Sequence, residues 1–240
     1  MRLILVESFG PHVFVLGSIL SGEATPTEAA AVGACGATII ALLKHKLSIL
    51  RDVNTQSKEF RELTREITSL LAYQATKELH TSMYEIQTPI TATKGYKVEL
   101  DNIVLIPVLR AGLGMLEGML DLIPNSRVGY IGMERDHNTH LPVDYYFKIP
   151  READKKTFII LDPMLATGGT MIATIDRLKK LGANNILSIS IISSPEGMKE
   201  FCKQHQDVDI YTGALDEKLN KNKYIVPGLG DAGDRLYGTE

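Results

Sequence analysis

Three short strings in this 240-residue chain combine residue types and spacing that could do chemistry on a phosphorylated substrate. The first runs Phe158-Ile159-Ile160-Leu161-Asp162-Pro163-Met164-Leu165-Ala166-Thr167-Gly168-Gly169-Thr170. It is an apolar run, an acid, a loop of small residues and then a helical pattern carried by Met171, Ile172, Ile175, Leu178 and Leu181. A loop of Ala, Thr and Gly lets backbone N–H groups approach an anion, and a helix N-terminus adds unpaired donors and a favourable dipole. A phosphate suits such a turn. The two glycines alone would serve an ordinary strand-to-helix turn equally well. Asp162 shifts the reading, because a carboxylate beside a phosphate nest repels the ligand unless sugar hydroxyls or Mg²⁺ need it there.

The second string is Ile106-Pro107-Val108-Leu109-Arg110-Ala111-Gly112-Leu113-Gly114-Met115. Arg110 ends an apolar run and is followed by two small residues, and a guanidinium grips two oxygens of a pyrophosphate at once. A surface arginine paired with a carboxylate is the plain alternative. Gly112-x-Gly114-x-x-x-Gly118 is one residue too long for a dinucleotide fingerprint, which argues against a nicotinamide cofactor. In the third string, Tyr224-Ile225-Val226-Pro227-Gly228-Leu229-Gly230-Asp231-Ala232-Gly233-Asp234-Arg235, glycine and proline forbid a regular helix or central strand. A terminal loop this irregular is usually mere surface, although its bare backbone leaves N–H and C=O groups open where side chains would intrude.

These strings need elements to position them. After Ser57, read as an N-cap, Phe60, Leu63, Ile67, Leu70, Leu71, Ala75 and Leu79 recur at helical spacing. Short β-branched runs at 103–108, 128–133, 157–161, 186–192 and 208–212 read as strands, with helical patterns at 114–122, 170–181 and 195–205. The alternation predicts βαβ units: an α/β fold with a mostly parallel sheet flanked by helices, and ligands at the carboxyl ends of its strands.

Asp162 to Thr170 resembles the phosphoribosyl-pyrophosphate (PRPP) signature of the type I phosphoribosyltransferases. Most of that superfamily has two adjacent acids; the Asp-Pro-Met-Leu-Ala-Thr-Gly-Gly form here is similar to the uracil phosphoribosyltransferases in particular. Leu109 to Met115 is similar to that family's pyrophosphate loop, Arg135 matches a second pyrophosphate arginine, and the third string resembles the uracil pocket nearly letter for letter. The resemblance runs from Lys44-His45-Lys46 to Gly238-Thr239. It departs at Glu134, where the family has tyrosine, and ahead of Lys44, where the family's own N-terminal arm is replaced.

The resemblance implies transfer of phosphoribosyl from PRPP to uracil, giving UMP and diphosphate. PRPP would be held by Arg110, Arg135, Asp162, Pro163, Met164, Leu165, Ala166, Thr167, Gly168, Gly169, Thr170 and Asp231, and uracil by Ile225, Gly230, Asp231 and Ala232. Catalysis would fall to Arg110, Arg135 and Asp231, under a hood at 137–147. It further implies Mg²⁺ held mainly through PRPP and not by protein ligands, a GTP activator, and a homo-oligomer, dimer or larger. A nonenzymatic nucleotide-sensing, RNA-binding regulator on the same fold is the alternative.

Composition limits the rest. With 44% apolar and 23% charged residues the chain is neither disordered nor collagenous, and a net charge of −3 argues against a broad nucleic-acid face. Two cysteines, Cys35 and Cys202, suggest neither a zinc site nor a disulfide framework and fit a cytoplasmic protein. Residues 44–240 read as one transferase domain, and 1–43 as an atypical apolar segment. Its uncharged stretch Ala29–Leu43 is too short for a membrane span and reads as a buried or interface helix after a short strand or hairpin, so no membrane association is expected. A membrane-associated hairpin is the other reading, and Gly22 to Ala34 resembles a stretch of TRAP-type transporter membrane subunits.

Overall fold

The computed structural model describes residues 3–5, 26–77, 79–135 and 142–239, with side chains described over 38–77, 79–133 and 145–239. The expected strand or hairpin at 13–16, the first part, 22–25, of the turn at 22–28 and residues 137–141 of the expected hood lie outside the described residues.

The centre of the fold is a sheet of β4 (Ile103–Leu109), β8 (Thr157–Leu161) and β10 (Asn185–Ser193), buried on both faces and therefore written as near-continuous apolar runs. It extends on one side through β11 (Asp209–Leu215) to β1 (Leu3–Leu5), and on the other through β6 (Tyr130–Arg135) to β7 (Pro142–Lys148). Every pairing in it is parallel except that of β7 with β6. The run expected at 128–133 is split: β5 (Arg127–Val128) and β6 are separate because Gly129 donates to Leu105 O and closes against Ile106. Tail residues of the expected hood form β7 itself.

Register parity sorts the core. Ile103, Leu105, Ile159, Leu161, Ile189 and Ile191 face α1 (Pro26–Arg51), α2 (Ser57–Thr76) and α3 (Leu113–Leu122). Val104, Ile106, Phe158 and Ile160 face α4 (Gly169–Lys180) and α5 (Pro195–Gln204). Each such fully buried side chain contributes about 1.5–3 kcal/mol. Helix α2 buries Phe60, Leu63, Ile67, Leu71 and Ala75 as the spacing predicts, but its N-cap is Gln56, and Ser57 is already its first helical residue. Leu79 lies beyond its end. A Cβ on Gly118 would stand 2.4 Å from Arg65 O, so glycine lets α3 lie close on α2. Helix α1 passes position 43 without a break, and Leu43, Leu47 and Leu50 join one core.

The antiparallel hairpin β2 (Thr81–Gln87) and β3 (Ala92–Val98) has no counterpart in the sequence reading. Most of its residues are exposed on both faces, so no apolar alternation marks it. Thr88 Oγ1 accepts from the Ile90 and Thr91 N–H groups and closes its turn. A second small pair, β12 (Lys218–Leu219) with β13 (Ile225–Val226), precedes the final helix α6 (Ala232–Tyr237).

Candidate functional site

Strands β4 and β8 are neighbours, yet the chain leaves them in opposite directions: α3 follows β4 onto one face and α4 follows β8 onto the other. Such a switch point opens a crevice at the strands' carboxyl ends. Arg110 and Asp162 stand at those two ends. The loops touch as well, since a Cβ on Gly112 would lie 2.4 Å from Leu161 O and 2.5 Å from Val108 N, which only glycine avoids.

The turn 162–170 lines a cavity of about 70 Å³. Gly168, at φ 82, caps α4 with no side-chain bond, leaving the first N–H groups of a twelve-residue helix facing that turn. Pro163 O accepts from Ile191 and Ile192, and Met164–Leu165 pair with Ile192–Ser193 as β9, so the loop is stitched to β10. A second support comes from α5. Ser194 Oγ donates to Ala166 O at 2.6 Å while accepting from Gly197 N at 2.9 Å. Sequence reasoning missed this, although Ser194-Pro195-Glu196 directly after a strand is a legible helix start.

Asp162 Oδ1 accepts from Met164 N at 3.3 Å, but burial outweighs that bond and pushes its carboxyl from 3.8 up to about 6. A raised carboxyl favours folding with the proton on: that stability is fully present below pH 3.8 and is lost as pH rises through 6. Asp162→Asn is therefore expected to melt roughly 5 °C above wild type at pH 8, a gap narrowing toward pH 5. Thermal melts at both pH values check it, and equal melting at pH 8 would overturn the buried-charge assignment.

Arg110 follows a cis Leu109–Arg110 peptide bond. Its Nη2 lies 3.3 Å from Asp234 Oδ1, its carbonyl accepts from Tyr237 Oη at 3.2 Å, and its guanidinium stands 5.9 Å from that ring's centroid. The arginine thus has the carboxylate partner of the plain alternative, and that partner sits in the third string. The pairing brings the expected diphosphate grip beside the expected base pocket.

In the third string Asp231 is the N-cap of α6, its Oδ1 accepting from Asp234 N at 3.0 Å. Gly228 N donates to Asp216 Oδ2, Gly228 O accepts from Arg51, and Leu229 O accepts from Arg235. Among the described residues none accepts from the Gly230, Asp231 or Ala232 N–H. The loop's polar backbone is thereby divided: one part ties it to the protein, and another is left for a ligand. A cavity of about 380 Å³ opens against this loop, lined by Val53, Thr55, Gln56, Ser57, Gly230, Asp231, Asp234, Arg235 and Gly238. Ile225 is buried in β13. Arg135 ends β6, where its backbone pairs with Pro142; its side chain and that of Glu134 lie outside the described residues.

A family model described as uracil phosphoribosyltransferase matches residues 39–239, beginning inside α1 ahead of Lys44. Among curated relatives, the uracil phosphoribosyltransferase of Fervidobacterium nodosum is 55% identical over 199 residues, spanning 83% of this chain and 96% of its own. Those of Dictyoglomus turgidum and Streptococcus mutans are 52% and 51% identical over 199 residues, spanning 83% of this chain and 96% and 95% of theirs. The solved AQ2163 protein from Aquifex aeolicus superposes with a TM-score of 0.79 at 38% identity, over 83% of this chain and 95% of that one.

Proposed function

Because the chain belongs to the uracil phosphoribosyltransferase family, we propose that the crevice between β4 and β8 transfers the phosphoribosyl group of PRPP to uracil, giving UMP and diphosphate. The observation that carries this reading is the contact of Arg110 with Asp234, which sets a diphosphate grip against a loop whose free N–H groups suit a pyrimidine's carbonyl oxygens. Uracil N1 attacks C1 of the ribose as diphosphate leaves, the N1 proton passing to the Asp231 carboxylate, and no covalent nucleophile is required. The 162–170 turn holds the 5′-phosphate on its backbone N–H groups, and the Asp162 carboxylate accepts from the ribose hydroxyls. Arg110 and Arg135 stabilise the charge that grows on the departing diphosphate. Ile225, Gly230, Asp231 and Ala232 read the base by its edge, so the amino group of cytosine meets a donor where uracil offers an acceptor, at about 1–3 kcal/mol per mismatch.

Mg²⁺, when bound, adds charge neutralisation at the diphosphate. Among the described residues no group of three His, Cys, Asp or Glu side chains could hold a metal ion; in the proposal Mg²⁺ would be held chiefly by PRPP. We extend the proposal to a homo-oligomer, supported by the cross-strand pair Met83 and Tyr96, both exposed on one face of the β2–β3 hairpin. Light scattering tests assembly, and adding GTP to the assay tests activation. Among the described residues no helix is long and apolar enough to cross a membrane; a cytoplasmic location is part of the same proposal.

The deciding experiment is incubation with uracil, labelled PRPP and Mg²⁺, scored for UMP; a folded sample yielding none favours the RNA-binding regulator. Within it, Asp231→Asn is informative because asparagine caps a helix as well as aspartate does. Turnover is expected to fall about tenfold or more with the melting temperature nearly unchanged. A shift in melting alone would remove Asp231 from the chemistry.

A further inference from the structure

Arg51 is the last residue of α1, and Asp216 directly follows β11, where its backbone N–H donates to Ser193 O at 2.8 Å. The two side chains meet as a bidentate pair, Nη1 to Oδ2 at 2.7 Å and Nη2 to Oδ1 at 2.5 Å. Only 4% of the Asp216 side chain and 21% of that of Arg51 is exposed. The pair closes a ring around one residue of the third string: Gly228 N–H donates to Asp216 Oδ2 at 2.9 Å, and Gly228 O accepts from Arg51 Nη1 at 2.7 Å. Gly228 sits at φ 67, and a Cβ there would lie 2.1 Å from Ile225 O. The turn between Ile225 and Gly230 is therefore held at both its polar groups and has no slack for a side chain.

We propose that Arg51 and Asp216 are positioning residues for the base. By taking both polar groups of Gly228 they fix where Ile225 on one side and Gly230 to Ala232 on the other present their backbone, and so set the affinity for uracil. This rests on the transferase reading above. Arg51 reaches the loop from the helix end and Asp216 from the sheet, so the loop is referenced to both layers at once. Neither residue lines the 162–170 turn or pairs with Arg110, so the proposed 5′-phosphate and diphosphate grips do not pass through them.

The test is steady-state kinetics on the full chain with uracil and PRPP varied separately. Arg51→Lys keeps the charge but gives up the planar fork, and Asp216→Asn keeps the shape but gives up the charge. Both are expected to raise the KM for uracil by about tenfold or more, with the KM for PRPP within about twofold and most of kcat recovered at saturating uracil. Arg51→Met with Asp216→Leu removes the buried charges together, which commonly preserves folding. If it melts like wild type, it is expected to show the same selective loss of uracil affinity. Parallel increases in both KM values, or an unchanged KM for uracil in the folded single variants, overturn the inference while leaving the transferase reading intact. A wild-type chain that forms no UMP overturns that reading, and this inference with it.

Discussion

Replacing Arg110 with Ala lowers turnover by about 10²-fold or more while leaving the melting temperature almost where it was. The two halves of that expectation have separate causes. The Arg110–Asp234 contact is 3.3 Å long and Arg110 is 56% exposed, so the pair contributes at most about 1 kcal/mol to folding. The same exposure leaves the guanidinium available to diphosphate oxygens, whose charge grows as the glycosidic bond breaks. Interactions that strengthen in that way act on kcat and not only on binding. Arg110→Lys should recover part of the rate, because it restores the charge without the two-pronged fork. An unchanged kcat in Arg110→Ala would remove this residue from catalysis.

Gly197→Ala is expected to damage PRPP handling although it adds a single methyl group. Gly197 lies in the first turn of α5, and a Cβ there would stand 2.2 Å from Ala166 O and 2.8 Å from Leu165 O. Both are backbone atoms of the phosphate turn, so no side chain can rotate away; the turn itself must give. A displacement on the order of 1 Å costs about 10²-fold where reacting groups must be aligned. The loss should appear in kcat/KM for PRPP, with the melting temperature falling by about 2–9 °C from the overpacking. Calorimetric titration with PRPP checks it, and wild-type affinity in the variant would show that the turn is not braced by α5.

How much of this was legible in the sequence follows from where each interaction lies. Strands β4, β8 and β10 are buried on both faces and appear as apolar runs, so the sheet and the two turns at its switch point could be read directly. The β2–β3 hairpin could not, since its exposure leaves no alternation. Nor could the partner of Arg110, which stands 124 positions away in a string that reads as loop. Arg51 and Asp216 are 165 positions apart and look like ordinary surface charges until the fold joins them. Gly197 lies between two unremarkable residues, and only the carbonyls packed against it give it meaning. The resemblance located the loops, whereas what holds each loop in place is a property of tertiary contact.

The segment proposed to read the base belongs to none of the main sheet. It pairs β12 with β13, seats Ile225, Leu229, Ala232 and Leu236 in the core, and is held further by polar grips: Arg51 and Asp216 on Gly228, Arg235 on Leu50, Asp52 and Leu229, and Glu196 on the Leu219 N–H. The turns proposed to hold the donor, by contrast, grow out of the central strands. On the proposed reading the two substrates thus meet different parts of the fold: turns rooted in the central strands for the phosphorylated sugar, and a C-terminal segment seated on the core for the acceptor. A chimaera that exchanges residues 216–239 together with their matching grips could change which base is accepted without rebuilding the sheet.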